Sequence, residues 1–110
     1  MLSKKDIITL NQELHTGRVI NESSLDYAIE STRKSKNWLK TAAMLTRAIL
    51  IDHVFEDGNK RTAAAVIMVY FQTNNIHYNP DNVNKIVVQM LKKNITNMRT
   101  IERLIKNVIE

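Results

Sequence analysis

The segment HVFEDGNKRT, residues 53–62, places reactive side chains between two apolar runs, AAMLTRAILI at 42–51 and AAAVIMVYF at 63–71. Both runs have the composition of buried helices. His53 could accept a proton from an attacking hydroxyl, the commonest task of a catalytic histidine near neutral pH. Asp57 could hold Mg²⁺, a hard cation that takes carboxylate and phosphate oxygens. A proton acceptor and a metal ligand therefore share one short segment.

The end of the same segment has the features of an anion site. Gly58 and Asn59 are turn residues, and the helix predicted to follow them begins with free backbone N–H groups, which bind anions. Lys60 and Arg61 fall in its first turn, where the helix dipole disfavours cations unless an anion lies over the turn. A polyphosphate would compensate both charges, so the segment suits phosphoryl or nucleotidyl transfer.

Two other features of the segment bear on this interpretation. Phe55 is apolar between polar neighbours, and we expect it to enter the core and fix the loop. Asp57, Gly58 and Asn59 are also ordinary turn formers. A joint between two helices, in which polar residues only solvate the turn, is therefore the alternative to a reactive site.

Helical patterns extend over nearly the whole chain. With 110 residues, 2 Gly and 1 Pro, the chain is long enough for one domain with a single core and has few breaks. We therefore expect an all-α helical bundle, a single domain over residues 1–110, with the helix at 59–75 in its centre. Apolar spacing predicts six helices, over 3–15, 22–36, 37–52, 59–75, 79–94 and 96–110.

Polar residues at three of the predicted helix starts have the pattern of N-caps. Ser3 is expected to cap the first helix, and Ser23 with Asp26 the second. Asn79 is expected to cap the fifth, with Pro80 in its first position.

Composition excludes several function classes. The chain has no cysteine, which rules out disulfides, thiolate metal sites and cysteine nucleophiles. No run of about 18 uncharged apolar residues occurs, and the start MLSKKDIITL lacks the apolar region of a signal peptide. We expect a cytoplasmic protein with no membrane partner. The net charge of +5 favours phosphates and acidic partners, but it does not by itself indicate a nucleic-acid partner.

The pattern HxFxDGNxR, from His53 to Arg61, resembles the signature of the Fic/Doc family, HxFx[DE]GN followed by GR or KR. The resemblance extends to KRTA at 60–63 and NNIHYNPDN at 74–82, which are similar to the smaller, Doc-like branch of toxins from toxin–antitoxin pairs. It covers nearly the whole chain.

This resemblance implies an all-α fold, ATP and Mg²⁺ as cofactors, and a protein hydroxyl as the acceptor. It implies His53 as the base, Asp57 as the Mg²⁺ ligand, and Lys60 with Arg61 as further catalytic residues. The implied nucleotide site consists of Phe55, Gly58, Asn59, Lys60 and Arg61.

Lys60 and Ala64 decide which chemistry the resemblance favours. Most family members transfer AMP and carry Gly in place of Lys60 and a second arginine in place of Ala64. That glycine leaves room for the phosphates of the nucleotide. A lysine would crowd the nucleotide in the orientation used for AMP transfer, and its charge would attract a different phosphate. The Doc-like branch carries the lysine and is similar to protein kinases in activity, acting on a threonine of an elongation factor.

We therefore expect transfer of the γ-phosphate of ATP to a Ser/Thr hydroxyl of a cytosolic, elongation-factor type protein. Protein adenylyltransfer is the alternative, and a non-catalytic basic binding module is the third possibility. Ala64 and Ala65 replace polar residues often found there in Doc-like chains, so a nucleotide contact could be missing. The branch also implies an antitoxin protein as a partner.

The remaining polar features are expected to be structural. Thr9 and Glu13 match the inhibitory pattern [ST]xxxE[GN] of larger Fic proteins only in part, because Leu14 follows. An exposed glutamate on the first helix is the favoured interpretation. His15 and His77 have no partners at metal-ligand spacing, and we expect both at the surface or at a helix end.

Two segments could bind a partner. RKSKNWLK at 33–40 could hold nucleic acid or an acidic protein, although a solvated helix junction with Trp38 packed on the core is favoured. The loop HTGRVIN at 15–21 is similar in position to the family's flap, which lays a target segment over the active site.

Overall fold

Six α-helices make up the computed structural model, which describes residues 2–110 and has no β-strand in that range. The predicted all-α bundle is confirmed. No helix in the described range has the length and apolar character needed to cross a membrane. The helices are α1 Lys4–Gln12, α2 Glu22–Arg33, α3 Trp38–Leu50, α4 Asn59–Thr73, α5 Pro80–Lys92 and α6 Met98–Asn107.

The helix predicted at the centre of the bundle, α4, packs against α1, α3 and α5. Helix α3 packs against α2, α4, α5 and α6, so the two helices share the central position. Leu45 and Ile49 of α3 and Ile67 and Phe71 of α4 are fully buried between these elements. Burial of each such side chain contributes about 1.5–3 kcal/mol. The packed α3–α4 pair therefore fixes both ends of the segment that connects the two helices.

The N-termini of α1 and α5 follow the sequence prediction. Ser3 Oγ accepts from Asp6 N at 3.1 Å, and Ser3 N donates to Asp6 Oδ2 at 2.9 Å, which completes a capping box. The hydrogen bonds to Ser3 hold the pKa of the Asp6 carboxyl below its usual value. Asn79 caps α5 by accepting from Asp81 N at 2.9 Å, with Pro80 in the first helical position.

The predicted cap of α2 is wrong. Asn21 is the N-cap, and its side chain accepts from Ser24 N at 3.4 Å. Helix α2 already begins at Glu22, so Ser23 lies inside the first turn and cannot flank it. Asp26 instead pairs with Lys4 of α1 at 2.7 Å.

Helices α3, α4 and α5 end in the same way, with a non-glycine residue in the left-handed region. His53 has φ +56°, Asn75 φ +56° and Asn94 φ +48°. In each case the next residue donates its N–H back across the helix end, a form of C-cap in which glycine is usual. The three bonds are Val54 N to Ile49 O at 3.4 Å, Ile76 N to Phe71 O at 2.9 Å and Ile95 N to Met90 O at 2.9 Å.

The basic segment 33–40 is a junction between α2 and α3. Trp38 packs edge-on against Phe71, with ring centroids 5.8 Å apart. The basic side chains around it are exposed to solvent, at Arg33, Lys34, Lys36 and Lys40.

Candidate active site

The joint between α3 and α4, residues 51–58, is held in shape from the inside by Phe55 and Asn59. The ring of Phe55 is fully buried, as predicted. Asn59 is also buried, and its Oδ1 accepts from Phe55 N at 3.0 Å while its Nδ2 donates to Phe55 O at 2.8 Å. The Asn59 amide thus forms hydrogen bonds with both the N–H and the C=O of Phe55, a buried residue whose backbone groups have no partner within a helix. Because the Phe55 ring faces the core, its part in a nucleotide site is limited to shaping this loop.

His53 is tied to the same asparagine. Its Nδ1 lies 3.2 Å from Asn59 Nδ2. The two bonds to Phe55 set the orientation of the Asn59 amide, so Nδ2 is a donor and Nδ1 of His53 must accept. A neutral His53 therefore carries its proton on Nε2. Its side chain is exposed at the end of α3.

The N-terminus of α4 differs from those of the other five helices, which all have a side-chain cap. Its N-cap is Gly58, with φ +78° and no side-chain hydrogen bond. The first helical bond runs from Thr62 N to Gly58 O at 2.9 Å, which leaves the N–H groups of Asn59, Lys60 and Arg61 without a helical partner. The geometry is that of a helix start open to an anion.

Lys60 and Arg61 are both exposed in this first turn. Neither takes part in the ion pairs formed within residues 2–110. Two cations at the positive end of a helix dipole, with no carboxylate to neutralise them, favour a bound anion.

A cavity of about 420 Å³ opens at this end of α4. Six of the seven predicted site residues line it, all except Phe55. Sequence reasoning did not assign His15, Leu50, Glu56 and Leu91 to this site. The lining residues are His15, Leu50, His53, Glu56, Asp57, Gly58, Asn59, Lys60, Arg61 and Leu91.

Asp57 presents a carboxylate at the mouth of the cavity, with its side chain 77% exposed. Oδ1 accepts from Gly58 N at 2.8 Å, and Oδ2 lies 3.3 Å from Nδ1 of His15. No group of three or more metal-ligating side chains occurs within residues 2–110. A single accessible carboxylate beside an anion site fits Mg²⁺, which commonly takes its other ligands from phosphate and water.

His15 lies just beyond the end of α1, where its N–H donates to Asn11 O at 2.7 Å, in agreement with the expected helix-end position. Its contact with the motif was not expected: its side chain is only 19% exposed and lies against Gly58 and Asp57. No local pattern predicts this contact, because it depends on the packing of α1 against α4. His77 is exposed, as expected. Glu13 is exposed and is not among the cavity residues.

The loop at 15–21 runs beside the motif. Val19 pairs with Phe55 as an isolated antiparallel bridge. Glu56 N donates to Arg18 O at 3.0 Å, and Ile20 N donates to Val54 O at 2.8 Å. The loop is therefore fastened to the backbone of the joint.

The sequence model of the Fic/DOC family matches residues 2–71, from the start of the described chain to the last turn of α4. The chain belongs to the Fic/DOC family. This membership supports a transferase that acts on proteins, and proteins of the family generally use ATP with a metal. The matched region contains the whole motif and every cavity residue except Leu91 of α5. No curated protein and no solved structure matches the chain.

Proposed function

We propose that this Fic/DOC protein is an ATP-dependent protein phosphotransferase. It moves the γ-phosphate of ATP to a Ser or Thr hydroxyl of a cytosolic protein of the elongation-factor type. The observation that carries the proposal is Lys60. It stands in the first turn of α4, lines the cavity next to Arg61 and forms no ion pair within residues 2–110.

Lys60 supports γ-phosphate transfer over AMP transfer for steric and electrostatic reasons. Most family members that transfer AMP have glycine at this position. Because glycine has no side chain, it leaves room for the nucleotide. A lysine fills that space and offers a point charge to one phosphate. Ala64 is buried in α4 and supplies no second arginine to an AMP-transfer pose.

Different residues of the cavity have different roles in the proposed reaction. The hydroxyl oxygen of the target forms a bond to the γ-phosphorus while the bond from that phosphorus to the β,γ-bridging oxygen breaks, and ADP leaves. His53 takes up the hydroxyl proton. Lys60, Arg61 and the free N–H groups of the α4 start stabilise the charge on the transferred group.

Asp57 would hold Mg²⁺, which supplies charge neutralisation on the phosphates when it is bound. The carboxylate is suited to this task because it is accessible at the cavity, its Oδ1 accepts from Gly58 N, and its Oδ2 lies 3.3 Å from Nδ1 of His15. Gly58 and Asn59 shape the turn against which the phosphates would lie.

Within the family, the Doc-like branch suggests a toxin whose activity is restrained by a separate antitoxin protein and exerted in the cytoplasm. Glu13, the glutamate of the partial inhibitory pattern, is not among the residues that line the cavity.

The proposal is tested with ATP labelled at either the α or the γ phosphate, added with the purified protein to a cytosolic extract. We expect a protein band that acquires the γ label and no band that acquires the α label. Transfer of the α label would instead establish adenylyltransfer. Calorimetry with Mg-ATP separates both enzymes from a non-catalytic binding module, which would show no nucleotide binding.

A further inference from the structure

The C-terminal end of α1 and the residues after it contact the motif. His15 Nδ1 lies 3.3 Å from Asp57 Oδ2. Oδ1 of the same carboxylate accepts from Gly58 N at 2.8 Å. Oδ1 of Asp57 therefore has a hydrogen-bond donor, and Oδ2 lies within ion-pair distance of an imidazole nitrogen, although the side chain is mostly exposed.

The environment of His15 determines which nitrogen carries the proton. Nε2 is buried and has no hydrogen-bond partner within residues 2–110. Nδ1 faces a carboxylate oxygen, which can only accept when ionised. A neutral His15 therefore has its proton on Nδ1, since a buried N–H without an acceptor would be the costlier arrangement.

Gly58 allows His15 to approach the joint this closely. A Cβ at residue 58 would lie 2.1 Å from His15 Cδ2 and 2.5 Å from Nε2. Gly58 also has φ +78°, a backbone conformation that favours glycine. The imidazole thus occupies space that only glycine leaves open, directly over the N-cap of α4.

Asn11 fixes the backbone on which both groups depend. It is fully buried, and its Nδ2 donates to the carbonyl of Asp57 at 2.9 Å and to Thr62 Oγ1 at 3.0 Å. Its Oδ1 accepts from Gly17 N at 2.8 Å. One side chain of α1 therefore connects the residues after that helix, the motif and α4.

We propose that His15 is a positioning residue that holds the Asp57 carboxylate in place for the divalent cation of Mg-ATP. Nδ1–H of His15 restrains Oδ2, and Asn11 restrains the Asp57 backbone. The proposal rests on the proposed function, since it assigns Asp57 to the cation. Loss of residues that orient a metal ligand typically lowers metal affinity about 10- to 100-fold.

Two variants of equal size separate the polar contact between His15 and Asp57 from the packing of the side chain. His15→Asn keeps an N–H donor near the position of Nδ1, whereas His15→Leu has a similar branched shape and no donor. ATP affinity is measured by calorimetry for each variant, once with Mg²⁺ and once with EDTA. The ratio of the two dissociation constants gives the gain in affinity that Mg²⁺ confers.

We expect His15→Leu to reduce this gain about 10-fold or more. Affinity for ATP in EDTA should stay unchanged, and His15→Asn should retain most of the gain. An equal gain in both variants would overturn the proposal. So would equal losses with and without Mg²⁺, since those would indicate a purely structural role.

The contact itself is read independently by ¹⁵N NMR of the unmodified protein without nucleotide. His15 should show a protonated Nδ1 and a bare Nε2, and the opposite tautomer would overturn the proposal. If Mg²⁺ does not raise the ATP affinity of the unmodified protein, the proposed function fails. A protonated Nδ1 of His15 in the same protein would then show that the contact with Asp57 exists but does not position a metal ligand.

Discussion

The side-chain amide of Asn59 donates to Nδ1 of His53 across 3.2 Å, and this contact sets the proton on the other nitrogen of the imidazole. A neutral His53 in this state has no free lone pair at Nε2. It can take up a hydroxyl proton only after the contact with Asn59 opens or the tautomer changes. Catalytic hydrogen bonds often reach their working geometry only when substrate is bound, so the resting state is compatible with a base.

The first prediction concerns these tautomers. At a pH where both imidazoles are neutral, ¹⁵N NMR should show His53 protonated on Nε2 and His15 protonated on Nδ1, because their partners are a donor and an acceptor respectively. The variants His53→Ala and His15→Leu assign the signals. A proton on Nδ1 of His53 would mean that the Asn59 amide is reversed relative to the Phe55 backbone.

The second prediction concerns the anion site. Arg61→Ala should weaken Mg-ATP binding by about 1.5–3 kcal/mol, the range of a hydrogen bond to a charged group. Arg61 is available for this contact because it forms no ion pair within residues 2–110. Calorimetry measures the change. Arg99→Ala is the matched control, since Arg99 is an exposed arginine of α6 away from the cavity. Equal affinities in the two variants would remove Arg61 from the site.

Sequence patterns predicted the elements that depend on local interactions. Six helices were recognised, and Ser3 and Asn79 were correctly assigned as caps, because capping and amphipathic spacing act within a few residues. The apolar character of α4 likewise indicated a central place, which α4 shares with α3. The motif was placed at a joint and a helix start because Asp57, Gly58 and Asn59 are turn formers between two apolar runs.

Contacts between distant parts of the chain could not be predicted in the same way. His15 reaches Asp57 only because α1 packs on α4, and Asn11 looks like any polar residue of a helix until its fully buried position is known. The left-handed backbone of His53 was also missed. Glycine at that position would have indicated a helix end directly, whereas histidine adopts a left-handed backbone less often.

The third prediction is that His53 is needed for transfer of the phosphoryl group but not for binding of the nucleotide. His53→Ala should lower the rate of transfer about 10²- to 10⁴-fold, the usual cost of losing a general base. Mg-ATP affinity should remain close to that of the unmodified protein. His77→Ala, at an exposed histidine outside the cavity, is the control and should leave the rate unchanged. Unfolding of His53→Ala would assign the residue a structural role instead.

The same residue should also limit stability. His53 has φ +56° at the end of α3, and a left-handed backbone costs a non-glycine residue about 1 kcal/mol. His53→Gly should therefore raise the free energy of unfolding by up to about 1 kcal/mol while abolishing transfer. Denaturant titration measures the change. Asn94→Gly relieves a similar backbone at φ +48° outside the cavity and should leave transfer intact. A destabilised His53→Gly would show that the imidazole contact with Asn59 outweighs the backbone strain.

The last prediction concerns Lys60, which we propose determines the phosphate that reacts. Lys60→Ala and Lys60→Gly should each lower γ-label transfer about 10- to 100-fold, which corresponds to one charge-assisted hydrogen bond in the transition state. Lys85→Ala, at an exposed lysine of α5 outside the cavity, is the control for net charge. Lys60→Gly reopens the space that adenylylating relatives leave for the phosphates, but Ala64 still lacks the second arginine, so we expect little α-label transfer. Unchanged γ-label transfer in Lys60→Gly would remove the lysine from the reaction. Strong α-label transfer by the unmodified protein would overturn the phosphotransferase proposal while leaving membership in the Fic/DOC family intact.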